Sequence, residues 1–183
     1  MAYKKIVDTQ SGDIFERIVS SEDTGGEYSI VKVTLMPGGF KPVLHYHSVQ
    51  DETFEVTSGR LTYILDGKRG VINAGEKIRL PKGVPHTHYN NEKEELVMNQ
   101  IVTPSLDFDC FSDTIFGLAS EGKLRKGTPG LLQILMLLSK LQSKTFLASI
   151  PQGVQSSLAY ILFPLGKLLG YKAVYKRFSG FDK

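Results

Sequence analysis

The sequence predicts a mainly β protein, in which a single antiparallel β-barrel is followed by C-terminal α-helices. Short apolar runs that alternate with a period of two, separated by turn residues, fill the chain from residue 3 to residue 103. The pattern changes near Pro104 to longer runs with helical spacing. Strands and helices do not alternate, as they would around a parallel sheet. We therefore expect a β-barrel over residues 1–103 and a helical extension over residues 104–183, packed on the barrel or on a partner.

Composition describes an ordinary globular chain. It has 183 residues, of which 41% are hydrophobic and 22% are charged. The single cysteine, Cys110, excludes an intrachain disulfide and fits a reducing compartment. The first twelve residues lack the apolar stretch of a signal peptide. The expected location is therefore the cytoplasm.

The predicted strands follow from alternation and from turn residues. Within residues 27–36, Tyr28 and Ile30 fall on one face of the predicted strand, and Ser29, Val31, Val33 and Leu35 fall on the other. An Asp66–Gly67 pair between two apolar runs predicts a two-residue hairpin. The other predicted strands cover residues 13–19, 61–65, 69–73 and 96–102.

All four histidines lie between residues 39 and 90. His45 and His47 are two apart, so on a strand they point to the same face, and Glu52 begins the next apolar run. Imidazole nitrogen and carboxylate oxygen suit divalent first-row metals. A lone His-x-His pair is common on half-exposed strands, but that reading leaves the clustering of every histidine unexplained. We therefore predict that His45, His47, Glu52 and His86 bind one metal ion with open coordination positions.

Two motifs carry a resemblance to a known family. The first runs from Gly39 through His45, His47 and Glu52 to Gly59, and the second from Gly75 through Pro81, Gly83 and His86 to Asn90. At every fixed position they are similar to the two signature motifs of the cupin superfamily. The resemblance implies a small jelly-roll β-barrel with a metal inside. Manganese, iron, nickel, zinc, cobalt and copper all tolerate this ligand set, so the identity of the metal stays open.

Further pocket candidates follow from alternation. His88 is two residues past His86 and should share its inward face, as a candidate catalytic residue for proton transfer or as a hydrogen-bonding residue at the rim. One of Asn99 and Gln100 should point inward, and the sequence leaves open which. The apolar pocket wall is expected from Phe54, Val56, Tyr63 and Ile78.

The last eighty residues predict three helices. The first begins near Ser112 or Asp113 and ends at Ala119. The second covers residues 131–147. The third covers residues 154–169, contains Pro164 and ends at a Gly170 cap. Apolar surface on these helices, beside open sheet edges, leads us to expect a homodimer.

Charge is uneven along the chain. Residues 1–103 hold 12 basic and 14 acidic residues, a net −2, whereas residues 104–183 hold 10 basic and 5 acidic residues, a net +5. A solvated helical face is the preferred interpretation of this excess, and an anionic partner or membrane surface is the alternative. The apolar runs are too short for a membrane span, but interfacial contact by the basic helices stays open.

Three functions fit these observations. The first is a metal-dependent enzyme acting on a small organic molecule, for which the resemblance points to dioxygenase-like cupins. The second is a metal-dependent sugar isomerase or epimerase, and the third is a non-enzymatic module that binds or senses a small ligand. A DNA-binding helix-turn-helix does not flank the barrel, so we expect no nucleic-acid partner. Because one barrel hosts many chemistries, the fold does not choose among the three.

Overall fold

The computed structural model describes residues 5–124 and 128–179, and its β-structure forms two antiparallel sheets. The strands are β1 (Lys5–Val7), β2 (Ile14–Val19), β3 (Ser29–Leu35), β4 (His45–His47), β5 (Asp51–Ser58), β6 (Arg60–Leu65), β7 (Lys68–Asn73), β8 (Lys77–Leu80), β9 (His86–Tyr89), β10 (Leu96–Thr103) and β11 (Thr145–Leu147). The helices are α1 (Phe108–Ser120), α2 (Leu131–Lys140), α3 (Gln152–Leu168) and α4 (Lys176–Ser179).

The two sheets have a jelly-roll-like arrangement. The first sheet has the strand order β1-β2-β3-β10-β5-β8, and the second sheet has the order β11-β4-β9-β6-β7. Among the described strands, hydrogen bonding between the two sheets does not close a continuous barrel, but the predicted fold class is confirmed. Side chains from the inner faces meet in one apolar core. The strand residues Leu35, Phe54, Leu61, Leu80, Leu96 and Met98 are fully buried in it.

The strand predictions are confirmed for β3 and for the hairpin of β6 and β7. Val31, Val33 and Leu35 of β3 are buried, as alternation predicts, while Lys32 is exposed. Burying each such side chain contributes about 1.5–3 kcal/mol. The hairpin between β6 and β7 turns at Asp66 and Gly67, both of which have positive φ angles of 50° and 73°. This is the backbone that a two-residue hairpin requires.

The first helix begins earlier than the sequence predicts. α1 starts at Phe108, so Ser112 and Asp113 lie inside the helix instead of capping it. Both are buried, and the Asp113 carboxylate accepts a hydrogen bond from Arg17 of β2 at 2.5 Å. Phe116 stacks on Phe15, with ring centres 3.7 Å apart. The ion pair and the aromatic contact attach α1 to the first sheet.

The prediction of one helix over residues 131–147 is wrong. α2 ends at Lys140, and the backbone N–H groups of Gln142 and Ser143 donate to the Asp107 carboxylate at 2.9 and 2.8 Å. The chain then forms β11, which pairs with the edge of β4. Phe146 is buried there and stacks on Tyr46, with ring centres 5.6 Å apart. The extension therefore supplies a strand to the second sheet.

The third helix agrees with its prediction. α3 begins two residues before the predicted start and contains Pro164. Gly170 has a φ of 82°, and the N–H of Tyr171 donates to the Gly166 carbonyl at 2.9 Å, which is the expected glycine cap. Within the described residues, no helix has both the length and the apolar character needed to cross a membrane. The boundary at residue 103 stays a prediction, although β10 ends there.

Candidate metal centre

Three histidines meet on the inner face of the second sheet. His45 and His47 are the buried ends of β4, and Tyr46 between them points the other way. β4 pairs with β9 in a register that sets His45 opposite His86. The ring centre of His86 consequently lies 4.6 Å from that of His45 and 5.3 Å from that of His47.

Glu52 reaches the same point from the opposite sheet. It is almost completely buried on β5, and its Oε2 lies 3.3 Å from His86 Nε2 and 4.0 Å from His47 Nε2. The other carboxylate oxygen, Oε1, accepts a hydrogen bond from the side-chain amide of Gln100 on β10. The question that the sequence left open is thereby answered, since Gln100 is the inward residue and Asn99 lies on the other face.

The outer nitrogen of each imidazole has a polar contact that orients the ring. Nδ1 of His45 lies 2.8 Å from the Val43 carbonyl, and Nδ1 of His86 lies 2.9 Å from the Val84 carbonyl. Nδ1 of His47 lies 2.9 Å from the Thr145 hydroxyl of β11. In the tautomer with Nδ1–H donating to these oxygens, all three Nε2 atoms carry free lone pairs. Contacts of this kind orient and tune metal-ligating histidines in proteins.

The inner atoms fit a bound cation. Ligand atoms of the four predicted residues, His45, His47, Glu52 and His86, all lie within 4.8 Å of one another. The Nε2 atoms of His47 and His86 and Oε2 of Glu52 are buried without a hydrogen-bond partner. Such atoms are costly to bury unpaired, and a divalent ion coordinated by all of them removes that cost. Nitrogen and oxygen donors of this type suit a first-row transition metal.

The electrostatics of the metal-free cluster favour the ligating protonation states of His45, His47 and Glu52. Burial lowers the pKa of His45 to about 4 and that of His47 to about 3, so both are neutral near pH 7. Burial alone would raise the pKa of the Glu52 carboxyl, but the imidazoles of His86 and His47 outweigh it and hold this pKa well below its usual range. Burial likewise opposes protonation of His86, yet the Glu52 carboxylate raises its pKa above the ordinary value. Glu52 is therefore an anion among imidazoles.

His88 lies beside the cluster but outside the four-residue set. It is buried, its ring centre is 4.3 Å from that of Phe54, and its Nδ1 has no hydrogen-bond partner. Burial lowers its pKa to about 4. His88 also lines a cavity of about 100 Å³ that includes His45, His47 and Glu52.

The walls of this cavity differ from the expected ones. Phe54 and Val56 are buried in the core, and neither they nor Tyr63 and Ile78 line the cavity. Its apolar walls come instead from the first sheet, from the connection between β3 and β4, and from the extension: Phe15, Val33, Phe40, Phe108, Phe111, Ile115, Phe116, Ile134, Leu137, Leu138 and Leu147. α1 and α2 thus cover the open side of the cluster formed by the three histidines and Glu52. Alternation within strands could not reveal walls that come from helices distant in sequence.

Other residues of the two motifs hold the strands. Asn90 donates to the carbonyls of Leu35 and Glu94, at 2.9 and 2.8 Å. Gly39 lies against the Asp13 carboxylate, where a Cβ would collide with it, and that carboxylate accepts hydrogen bonds from the N–H groups of Met36 and Phe40. These positions keep β3 and β9 aligned near the ligands.

The geometry and the ligand set agree with one family. The family model for the Cupin domain matches residues 31–103, which include all four candidate ligands. This chain carries a Cupin domain and belongs to the cupin superfamily. The resemblance drawn from the two motifs is thereby confirmed.

Several proteins are similar to this cupin. Quercetin 2,3-dioxygenase of Bacillus subtilis strain 168 is 28% identical over 134 residues, which cover 73% of this chain and 39% of that protein. An uncharacterized protein of Aquifex aeolicus is 30% identical over 103 residues, which cover 52% of this chain and 84% of that one. The crystal structure of a sugar phosphate isomerase from Silicibacter pomeroyi has 22% identity and a TM-score of 0.47, covering 56% of this chain and 71% of that one. This cupin therefore spans well under half the length of the dioxygenase that it matches.

Proposed function

We propose that this cupin is a metal-dependent enzyme, dioxygenase-like in its chemistry, that acts on a small apolar organic molecule. The observation that carries the proposal is the mostly apolar cavity onto which His45, His47 and Glu52 face. Pockets that are mostly apolar with a few convergent polar groups are the usual sites of small-molecule chemistry. The distant similarity to quercetin 2,3-dioxygenase adds support for the oxygenase class.

The four ligands would have a common role in this enzyme. His45, His47, Glu52 and His86 would hold one divalent transition metal, which when bound supplies Lewis acidity and open coordination positions. Val43, Val84, Thr145 and Gln100 would keep the ligands oriented. The aromatic and aliphatic walls would exclude bulk water from the reacting molecule.

His88 is the proposed proton-transfer residue. Its Nδ1 is buried and unpaired, and its ring lines the cavity, so it is available to a hydroxyl or carbonyl group of a bound molecule. With a pKa of about 4 it is neutral near pH 7 and can accept a proton from a hydroxyl group of that molecule. A purely structural histidine in the same position would leave turnover unchanged when replaced.

An apolar substrate fits the composition of the cavity better than a phosphorylated sugar does. Among the lining residues that the structure describes, none is lysine or arginine, the side chains that usually neutralise a phosphate. A second apolar depression adjoins the cavity and shares Val43, Pro129 and Ile134 with it. This depression offers an apolar entry route. Because the described lining has no cationic side chain to neutralise a phosphate, the isomerase alternative has less support.

Oxygen uptake with metal-loaded protein tests the proposal. Flavonols, β-diketones and small diols would be supplied in turn, with products identified by mass spectrometry. We expect oxygen-dependent conversion of at least one of these compounds, its abolition in His86→Ala and its reduction in His88→Ala. Arg69→Ala, an exposed position on the β6–β7 hairpin, is the matched control and should keep full activity.

Two other outcomes would replace this proposal. Conversion without oxygen consumption, yielding an isomer of the substrate, would favour the isomerase class. Tight binding in a thermal-shift assay without any conversion would favour the binding or sensing module.

The expected homodimer and cytoplasmic location stay predictions. The structure leaves β1 and β7 at sheet edges, where a second copy could pair. Light scattering across micromolar protein concentrations tests the dimer, and a constant monomeric mass would contradict it.

A further inference from the structure

Helix α3 presents its large apolar side chains to solvent. Its outer face, defined here as Tyr160, Ile161, Leu165, Leu168 and Leu169, is exposed by 85%, 65%, 46%, 84% and 59%. Its fully buried positions are the small or polar residues Gln155, Ala159 and Gly166, while Leu158, Leu162 and Phe163 pack partly buried against the core. The helix therefore has apolar residues on both sides, whereas a helix on the surface of a monomer normally has a polar outer face.

Specific contacts fix this orientation. The Gln155 amide donates to the carbonyls of Leu147 and Ile150, at 2.9 and 2.7 Å, and its oxygen accepts from the Leu147 N–H at 3.0 Å. Gly166 lies against Met136 of α2 so closely that a Cβ would collide with the thioether. Rotating α3 to bury its outer face would unpair Gln155 and force a larger residue against Met136. The outer face is therefore a property of the fold.

The charges around this face have one sign. Residues 128–179 contain six basic residues and no acidic residue. The ammonium groups of Lys140 and Lys167 lie 4.7 and 5.8 Å from the ring centre of Phe163. A groove between α2 and α3 is lined by Lys140, Lys144 and Phe163. Lys144 interacts electrostatically with the carboxylate of Asp107, which also accepts hydrogen bonds from two backbone N–H groups.

We propose that the outer face of α3 docks on an anionic lipid surface. The apolar side chains would enter the boundary between headgroups and acyl chains, and Lys140 and Lys167 would meet the anionic headgroups. Tyr160, an aromatic residue with a polar end, suits the same boundary. A second copy of this chain would bring an equally basic surface against the lysines, so charge complementarity favours lipid. The proposal is independent of the reaction catalysed at the metal centre.

Vesicle flotation of the full-length protein tests this inference. Vesicles of phosphatidylcholine alone would be compared with vesicles of phosphatidylcholine containing phosphatidylglycerol. We expect binding to the anionic vesicles, weak binding to the neutral ones, and a decrease with added salt. The double substitution Ile161→Gln and Leu168→Gln should lower binding by about tenfold or more, because two large apolar side chains no longer enter the lipid. Val7→Gln, at an exposed apolar residue on β1, is the matched control and should bind as wild type.

A second pair of substitutions tests the charges without altering the apolar face. Lys140→Gln with Lys167→Gln should weaken binding to anionic vesicles and reduce its dependence on salt, while metal content stays at the wild-type level. Unchanged binding by this pair, equal binding to neutral and anionic vesicles, or no binding to either would overturn the proposal. So would a wild-type dimer in light scattering that Ile161→Gln with Leu168→Gln dissociates, since a second copy would then cover the face.

Discussion

The hydroxyl of Thr145 lies 2.9 Å from Nδ1 of His47, although 98 residues separate them in the sequence. Thr145 belongs to the helical extension, and His47 belongs to the first cupin motif. The contact exists because β11 pairs with β4, setting Thr145 directly opposite His47. Through this residue the extension contributes to the candidate metal centre.

Removing the Thr145 hydroxyl should weaken metal binding. Thr145→Val keeps the shape of the side chain but leaves Nδ1 of His47 without an acceptor, so the ring loses a contact that holds Nε2 toward the ion. We expect metal affinity to fall by about ten- to a hundredfold, as for other contacts of this kind. Competition titration against a chromophoric chelator measures the affinity. Thr145→Ser should restore it, and equal affinities for all three proteins would refute a positioning role for Thr145.

Gln100 should matter to the metal centre, and its neighbour Asn99 should not. Gln100→Leu removes the amide that donates a hydrogen bond to Oε1 of Glu52, and it leaves that oxygen buried and unpaired. An unsatisfied buried group costs about 1–3 kcal/mol, more where it is charged. We expect reduced metal affinity and a lower free energy of unfolding. Asn99→Leu, on the opposite face of β10, is the matched control for affinity, and similar losses of affinity in both variants would contradict the assignment.

The metal-free protein should become less stable as pH falls from about 7 toward 4. His45, His47 and His88 have folded-state pKa values of about 4, 3 and 4, below the ordinary 6.5, so in this window the unfolded chain binds more protons. Each extra proton makes the free energy of unfolding decrease by up to about 1.4 kcal/mol per pH unit as pH falls. The raised pKa of His86 acts in the opposite sense, since its stabilising contribution is present below pH 6.5 and is lost as pH rises through the folded value.

Urea titrations of chelator-treated protein across this pH range measure the effect. A Lys68→Gln variant, which changes an exposed charge on the β6–β7 hairpin, is the control and should follow the wild-type curve. A free energy of unfolding that stays constant or rises between pH 7 and pH 4 would contradict the assignment of three buried neutral histidines.

The strands and the clustering of the candidate ligands could be predicted because local pattern determines them. A period of two in β3 and β5 gives both the strand and its buried face, and the spacing of His45, His47 and Glu52 needs only that alternation. The turn at Asp66 and Gly67 has positive φ at both residues, and an Asp–Gly pair between two apolar runs predicts such a turn. His88 was predicted to face inward for the same reason, and it does line the cavity.

The extension could not be predicted in the same way because contacts distant in sequence decide it. Residues 141–147 follow α2 without a proline or a glycine, yet Asp107 binds the N–H groups of Gln142 and Ser143, and the open edge of β4 pairs with Thr145–Leu147. A three-residue strand leaves almost no periodic signal of its own. Asp113 resembled a helix cap because its partner, Arg17, lies 96 residues away. The cavity walls were missed because helices, and not strands, supply much of them.

Elemental analysis of the purified protein tests the central claim most directly. We expect about one divalent transition metal per chain in the wild-type protein, and a large loss of metal in both His47→Ala and Glu52→Ala. Circular dichroism should show that both variants keep their β-structure, and Arg79→Ala, at an exposed residue paired with Asp51, should keep its metal. Full metal occupancy in the folded His47→Ala and Glu52→Ala proteins would contradict the account.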